Sequence, residues 1–176
     1  MTLRFVRQLL PALVASLLPA FAQAAAPAGT LPLSAFPRER IAIETRASIR
    51  RHLFEAWRAE NARTRAQGFM FVEDAAVGPD QAMIFTYDPP EHVAMWMKNT
   101  LMPLDMLFVD GRGCVVTIRQ NAHPGSLKMI ESGVPVALVV ELKAGTVAAQ
   151  SIAVGDRVLR LDAGWPAEAD ACTATR

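Results

Sequence analysis

Residues 95–110, MWMKNTLMPLDMLFVD, set Lys98, Asn99, Thr100 and Asp105 inside an otherwise apolar run. Buried polar groups are costly unless each finds a partner, so these four either brace the fold or face a ligand. Trp96 offers a stacking wall, Lys98 an anion contact, and Asn99, Thr100 and Asp105 hydrogen-bond direction. An apolar wall with a few converging polar groups is how small-ligand sites are built. In an extended strand Trp96, Lys98 and Thr100 share one face, opposite Met95, Met97 and Asn99. Past a bend at Pro103, Asp105 is the lone carboxylate of an apolar strand, a short loop away from Lys98. A Lys98–Asp105 ion pair is therefore sterically plausible, and such pairs serve structure as readily as catalysis. The chain has fifteen Arg but only three Lys. Lysine supplies a compact amine whose pKa can shift, where arginine supplies a permanently charged fork.

Two further residues belong with this group. Glu141 lies in the apolar run VALVVEL and is either a buried carboxylate or a strand-end residue reaching solvent. Arg65 is a helix-end residue that joins the site only if it reaches the strand of Lys98. One reading of the set is a small-molecule-binding module. A second is a hydrolase or lyase of envelope material, with Asp105 or Glu141 as base and Lys98 positioning an anion. A third makes the motif a structural keystone. His52, His92 and His123 lie far apart without metal-ligand spacing, so neither a metal nor a cofactor is expected. Ser126 and Ser132 lack the G-x-S-x-G elbow of a serine hydrolase.

The elements that must carry these residues are mostly strands. Residues 41–44 read as a short β segment, while 49–60 suit either a helix or a strand. Asn61 can cap a brief helix through Gln67, ended by Gly68, and residues 69–72 continue as extended chain. Gly78-Pro79-Asp80 is a turn. Residues 82–87 alternate as a strand until Asp88-Pro89-Pro90 breaks it, and residues 93–100 form the next strand. Residues 104–109 and 114–118 flank Asp110-Gly111-Arg112-Gly113 as a hairpin. Residues 136–142 predict a central strand buried on both faces. Thr146 can cap a short helix to about Ile152, and residues 154–158 begin a final strand. The expected fold is mainly β with one or two short helices (α+β), a single compact barrel or sandwich. Helices between strands are too few for a wound α/β sheet.

Length and composition agree with one domain: 176 residues, 52% hydrophobic and 20% charged, with a net charge of +1. The near-balanced charge lacks the basic excess of a nucleic-acid binder. Residues 1–24 have the layout of a secretory signal peptide, with Arg4 and Arg7, an apolar segment 9–22, and a small-x-small site at 22–24. Pro11 and Pro19 interrupt that segment, which is short for a membrane span. A periplasmic or secreted protein without stable membrane insertion follows, with an extended lead-in 25–40, a domain 41–161 and a tail 162–176. Cys114 and Cys172 allow one disulfide, but Cys172 lies in a polar tail, which favours two independent thiols.

The block W-M-K-N-T…P-L-D at 96–105 resembles the signature of domain-of-unknown-function family 192, small and often exported uncharacterised proteins. Residues 65–70, RAQGFM, resemble that family's R-x-x-G-L-M. Residues 82–85, AMIF, resemble its G-M-L-F, and 139–145, VVELKAG, its V-L-E-L-x-A-G. IAVGDRV at 152–158 fits as well, so the resemblance runs from about Ile41 to Leu161. Phe69 stands where Leu is usual, Ala82 replaces a Gly, and no Arg closely follows Met70. The resemblance implies a small β-rich fold with the W-M-K-N-T strand at its heart, and a strand rather than a helix over 53–59. It supplies no reaction or ligand.

Overall fold

The computed structural model describes residues 26–163 and Cys172. The segment 1–24, expected from sequence to be a signal peptide, and, Cys172 apart, the tail beyond residue 163 lie outside the described residues. Seven strands form one sheet: β1 Arg38–Thr45, β2 Arg50–Ala59, β3 Gln81–Met95, β4 Leu104–Val109, β5 Val115–Ala122, β6 Ile130–Lys143 and β7 Arg157–Arg160. Two short helices, α1 Ala62–Gln67 and α2 Thr146–Ala149, interrupt them. The strand order is β5-β4-β6-β3-β2-β1-β7. Every pairing is antiparallel except β2–β3, which the crossover through α1 makes parallel.

Alternation along the strands separates two cores. Ile41, Ile43, Phe54, Ile84, Leu107, Val115, Val140 and Val158 draw on every strand and fill the inside of the curled sheet. Trp57, Phe69, Met83, Phe85, Met97, Met102, Met106 and Phe108 lie on the other face. Leu31 and Leu33 of the lead-in pack against that face. Both faces of β4 and the end of β6 are thus buried, which explains why these strands read as unbroken apolar runs.

The sheet curls until its two edges meet. Val158 N–H donates to Gly113 O at 2.8 Å, and Val115 N–H to Asp156 O at 2.9 Å. The result is a mainly β, single-domain half-barrel, as expected. Cys114 and Cys172 are joined by a disulfide beside this seam, with Cα atoms 5.3 Å apart. The expectation of independent thiols is overturned because Cys172 folds back. Arg46 Nη1 holds its carbonyl at 2.8 Å.

Local signals placed α1 correctly. Asn61 Oδ1 accepts from Thr64 N–H, the Thr64 hydroxyl accepts from Asn61 N–H, and Gly68 follows as C-cap. Other local readings differ. β3 runs through Asp88-Pro89-Pro90, absorbing them in an irregularity between Thr86 and Glu91. Residues 69–72 form tight turns, with Met70 N–H on Gln67 O at 2.9 Å. Gly145, in a left-handed conformation, precedes α2 in the place expected of Thr146.

Candidate functional site

The W-M-K-N-T segment is not a strand to its end. β3 stops at Met95. Met97 N–H then donates to Ser126 O and Thr100 N–H to Met97 O, both at 3.0 Å. Asn99 takes a φ of 57°, a left-handed turn that Asn tolerates better than most residues. Trp96 and Lys98 do share a side, with the lysine Nζ 5.2 Å from the ring centroid, and both are exposed. Thr100 departs from them: it is buried and bridges to Met70.

Asp105 does not pair with Lys98. It is fully buried on the inner face, where Oδ1 accepts from Asn121 N–H and Oδ2 from Val147 N–H, each at 2.9 Å. A carboxylate receiving main-chain N–H groups makes strong, charge-assisted bonds. These tie the end of β5 and the start of α2 to β4. Glu141 faces the outer core instead, opposite Met83 and Met106. It is 4% exposed, so it does not reach solvent as a strand-end residue would. Its Oε2 has no hydrogen-bond partner, and burial pushes its pKa up to about 8. Burial thus favours its protonated form.

Arg65 reaches β3 but not the Lys98 turn. Its Nη1 donates to Thr86 O at 3.0 Å, and its guanidinium lies 5.1 Å from the Tyr87 ring centroid. Burial pushes the Tyr87 hydroxyl up to about 12, so the phenol stays protonated. The residues singled out from sequence therefore divide among an exposed turn, an inner core, an outer core and a helix clamp.

A cavity opens elsewhere, where the seam ends. Beyond the Gly113–Val158 bond the edges part, and Arg160 and the hairpin tip at Gly111 border a space of about 390 Å³. Thr86, Tyr87, Asp88 and Pro90 of β3 and Ala137 and Leu138 of β6 complete its walls. Arg160 is fixed by Glu39: Nε donates to Oε1 at 2.6 Å and Nη2 to Oε2 at 2.7 Å. Glu39 is 2% exposed and also takes Arg58 Nη1 at 3.3 Å. The Nη1 of Arg160 takes no part in this pair. Sequence reasoning passed over these residues, yet a signal was present. In RERIAIET, Glu39 falls in phase with Ile41 and Ile43, which places a carboxylate on an apolar face.

Comparison with known proteins adds a family but no activity. Residues 43–159 match the DUF192 family model, described as an uncharacterized ACR. A candidate transcription regulator from Sinorhizobium meliloti 1021 is 41% identical, with a TM-score of 0.68, over 71% of this chain and 95% of that one. A protein of unknown function from Novosphingobium aromaticivorans DSM 12444 is 32% identical, with a TM-score of 0.68, over 78% of this chain and 94% of that one. No protein of curated function matches.

Proposed function

The chain belongs to the DUF192 family, and because that family carries a fold without a reaction, we propose from the site itself that it is an exported small-molecule-binding module. The observation that carries this reading is the cavity at the open end of the half-barrel. Its volume of about 390 Å³ falls in the range that ligand pockets occupy. Leu138 and Ala137 offer apolar wall. Thr86, Asp88 and Arg160 bring polar groups to the lining. The Glu39 clamp holds the guanidinium in place, so a ligand need not order it on binding.

Export is supported by the basic–apolar–small pattern of residues 1–24 and independently by the Cys114–Cys172 disulfide, since such bonds persist in oxidising compartments. Processing after Ala24 with both thiols blocked is the expected finding in a periplasmic fraction. A cytoplasmic protein with two titratable thiols would overturn export.

A hydrolase or lyase built on Lys98 and Asp105 loses its basis, because the two do not meet and Asp105 is spent on main-chain donors. Transcription regulation, the description of the Sinorhizobium protein, gains little from this chain. Its net charge is +1, and the longer described helix has six residues, too short to read a groove in the usual way.

The test is a thermal-shift screen against small carboxylates, sugars and cell-wall fragments. A ligand at 100 times its Kd should stabilise the protein by about 2.7 kcal/mol. Ala137→Trp, which fills the cavity from a half-buried position, should abolish that shift. A full panel without effect, or an equal shift in the filled variant, would sink the reading.

A further inference from the structure

Four large apolar side chains stand exposed on two loops. Trp96 (40%) and Leu101 (49%) belong to residues 96–101, and Leu127 (67%) and Met129 (48%) to residues 123–129. Main-chain bonds lock the loops together: Gly125 N–H donates to Met97 O at 3.0 Å and to Thr100 O at 3.2 Å. The Met97–Ser126 bond described above adds a third tie. Trp96 and Met129 each lie next to the last paired rung of β3 and β6, Met95↔Ile130. Single exposed apolar residues are ordinary, but four on a pair of mutually bonded loops make a patch.

Amines outnumber carboxylates around the patch. Neither loop contains a carboxylate, and together they hold Lys98 and Lys128, two of the three lysines in the chain. The third, Lys143, pairs with Asp74 at 2.9 Å. Glu131 stands exposed just past Met129, leaving the patch net positive. Lysine is depleted from the cores of protein–protein interfaces. A tryptophan with aliphatic neighbours and flanking lysines is instead the combination that settles at a lipid headgroup layer.

We propose that this patch docks the protein reversibly on an anionic phospholipid surface. Trp96, Leu127 and Met129 enter the headgroup region while the amines of Lys98 and Lys128 meet lipid phosphates. The Lys98 amine stands 5.2 Å from the Trp96 ring centroid, and the long lysine stem lets that charge stay in water while the indole enters the interface. The cavity lies at the end of the half-barrel and plays no part in this contact. The signature segment thereby acquires a role at the surface, where sequence alone pointed to a core.

The test is sedimentation of the full chain with vesicles of phosphatidylglycerol or of phosphatidylcholine. Binding should favour phosphatidylglycerol and weaken with added salt. Lys98→Gln/Lys128→Gln should bind phosphatidylglycerol about 30-fold more weakly with an unchanged melting temperature. Residues 9–22 are common to both proteins, so the difference reads the patch. Brominated lipids should quench fluorescence in the unaltered chain and less in Trp96→Phe. Equal binding by the double variant, or equal quenching in Trp96→Phe, would overturn the proposal. A concentration-dependent dimer abolished by Leu127→Ser would overturn it too, assigning the patch to a second copy of the chain.

Discussion

Asp105 and Glu141 occupy adjacent rungs of one strand pair, Asp105 opposite Leu142 and Glu141 opposite Met106, yet they face different cores. Asp105 gives both oxygens to main-chain donors. In Asp105→Asn only one oxygen remains to accept, and the amide nitrogen meets an N–H that cannot receive it. The expected loss is about 1–3 kcal/mol, read from urea denaturation. A variant of unchanged stability would contradict the bracing role. Glu141 makes stability depend on pH. Its pKa is raised to about 8 in the folded protein from an ordinary 4.5. Its protonated form is thus favoured by folding. The stability tied to it is fully present below about pH 4.5 and is lost as pH rises through about 8. The slope within that window is about 1.4 kcal/mol per pH unit. Glu141→Gln should flatten that slope, measured as the difference in unfolding free energy between the two proteins at pH 5 and pH 8. Both carboxylates were visible in the sequence as charges within apolar runs. Their partners were not, because the donors to Asp105 lie 16 and 42 residues away.

At the scale of elements, the legible parts are those whose signals are local. The α1 helix was readable because Asn61, Thr64 and Gly68 cap it within a single turn of chain on each side. The β4–β5 hairpin was readable because its alternation and turn are contiguous. The Lys98 turn was not, since it exists through a bond from Met97 to Ser126, and the bend in β3 is stabilised by pairing with β6 on both sides. Gly68 shows how such an end also positions a core. Its φ is +49°, and a Cβ there would lie 3.0 Å from the Phe85 ring and 3.8 Å from Glu141 Oε2. Gly68→Ala should therefore cost about 1–3 kcal/mol. Ala66→Gly, at an exposed helix position, should cost no more than about 1 kcal/mol. Comparable losses in the two variants, measured by thermal unfolding, would mean that α1 propensity rather than the Gly68 contact governs this corner.

At the scale of the whole molecule, one sheet must be held in a curl by its two ends. β7 is only four residues long, and its pairing with β1 leaves the other side to meet residues 113–115. The seam is thus short, and the Cys114–Cys172 bond sits on it, joining cysteines separated by 58 positions in sequence. Closing a loop of that length removes unfolded-state entropy equivalent to about 4 kcal/mol. Cys114→Ser should lower the free energy of unfolding by up to that amount, and reduction of the unaltered chain should do the same. The seam also borders the cavity, since Arg160 lies in β7 itself. If the disulfide serves the site as well as stability, ligand binding should weaken in Cys114→Ser even at temperatures where the variant remains folded. Unchanged affinity with lowered stability would confine the bond to bracing. Unchanged stability would mean that the strands alone close the barrel.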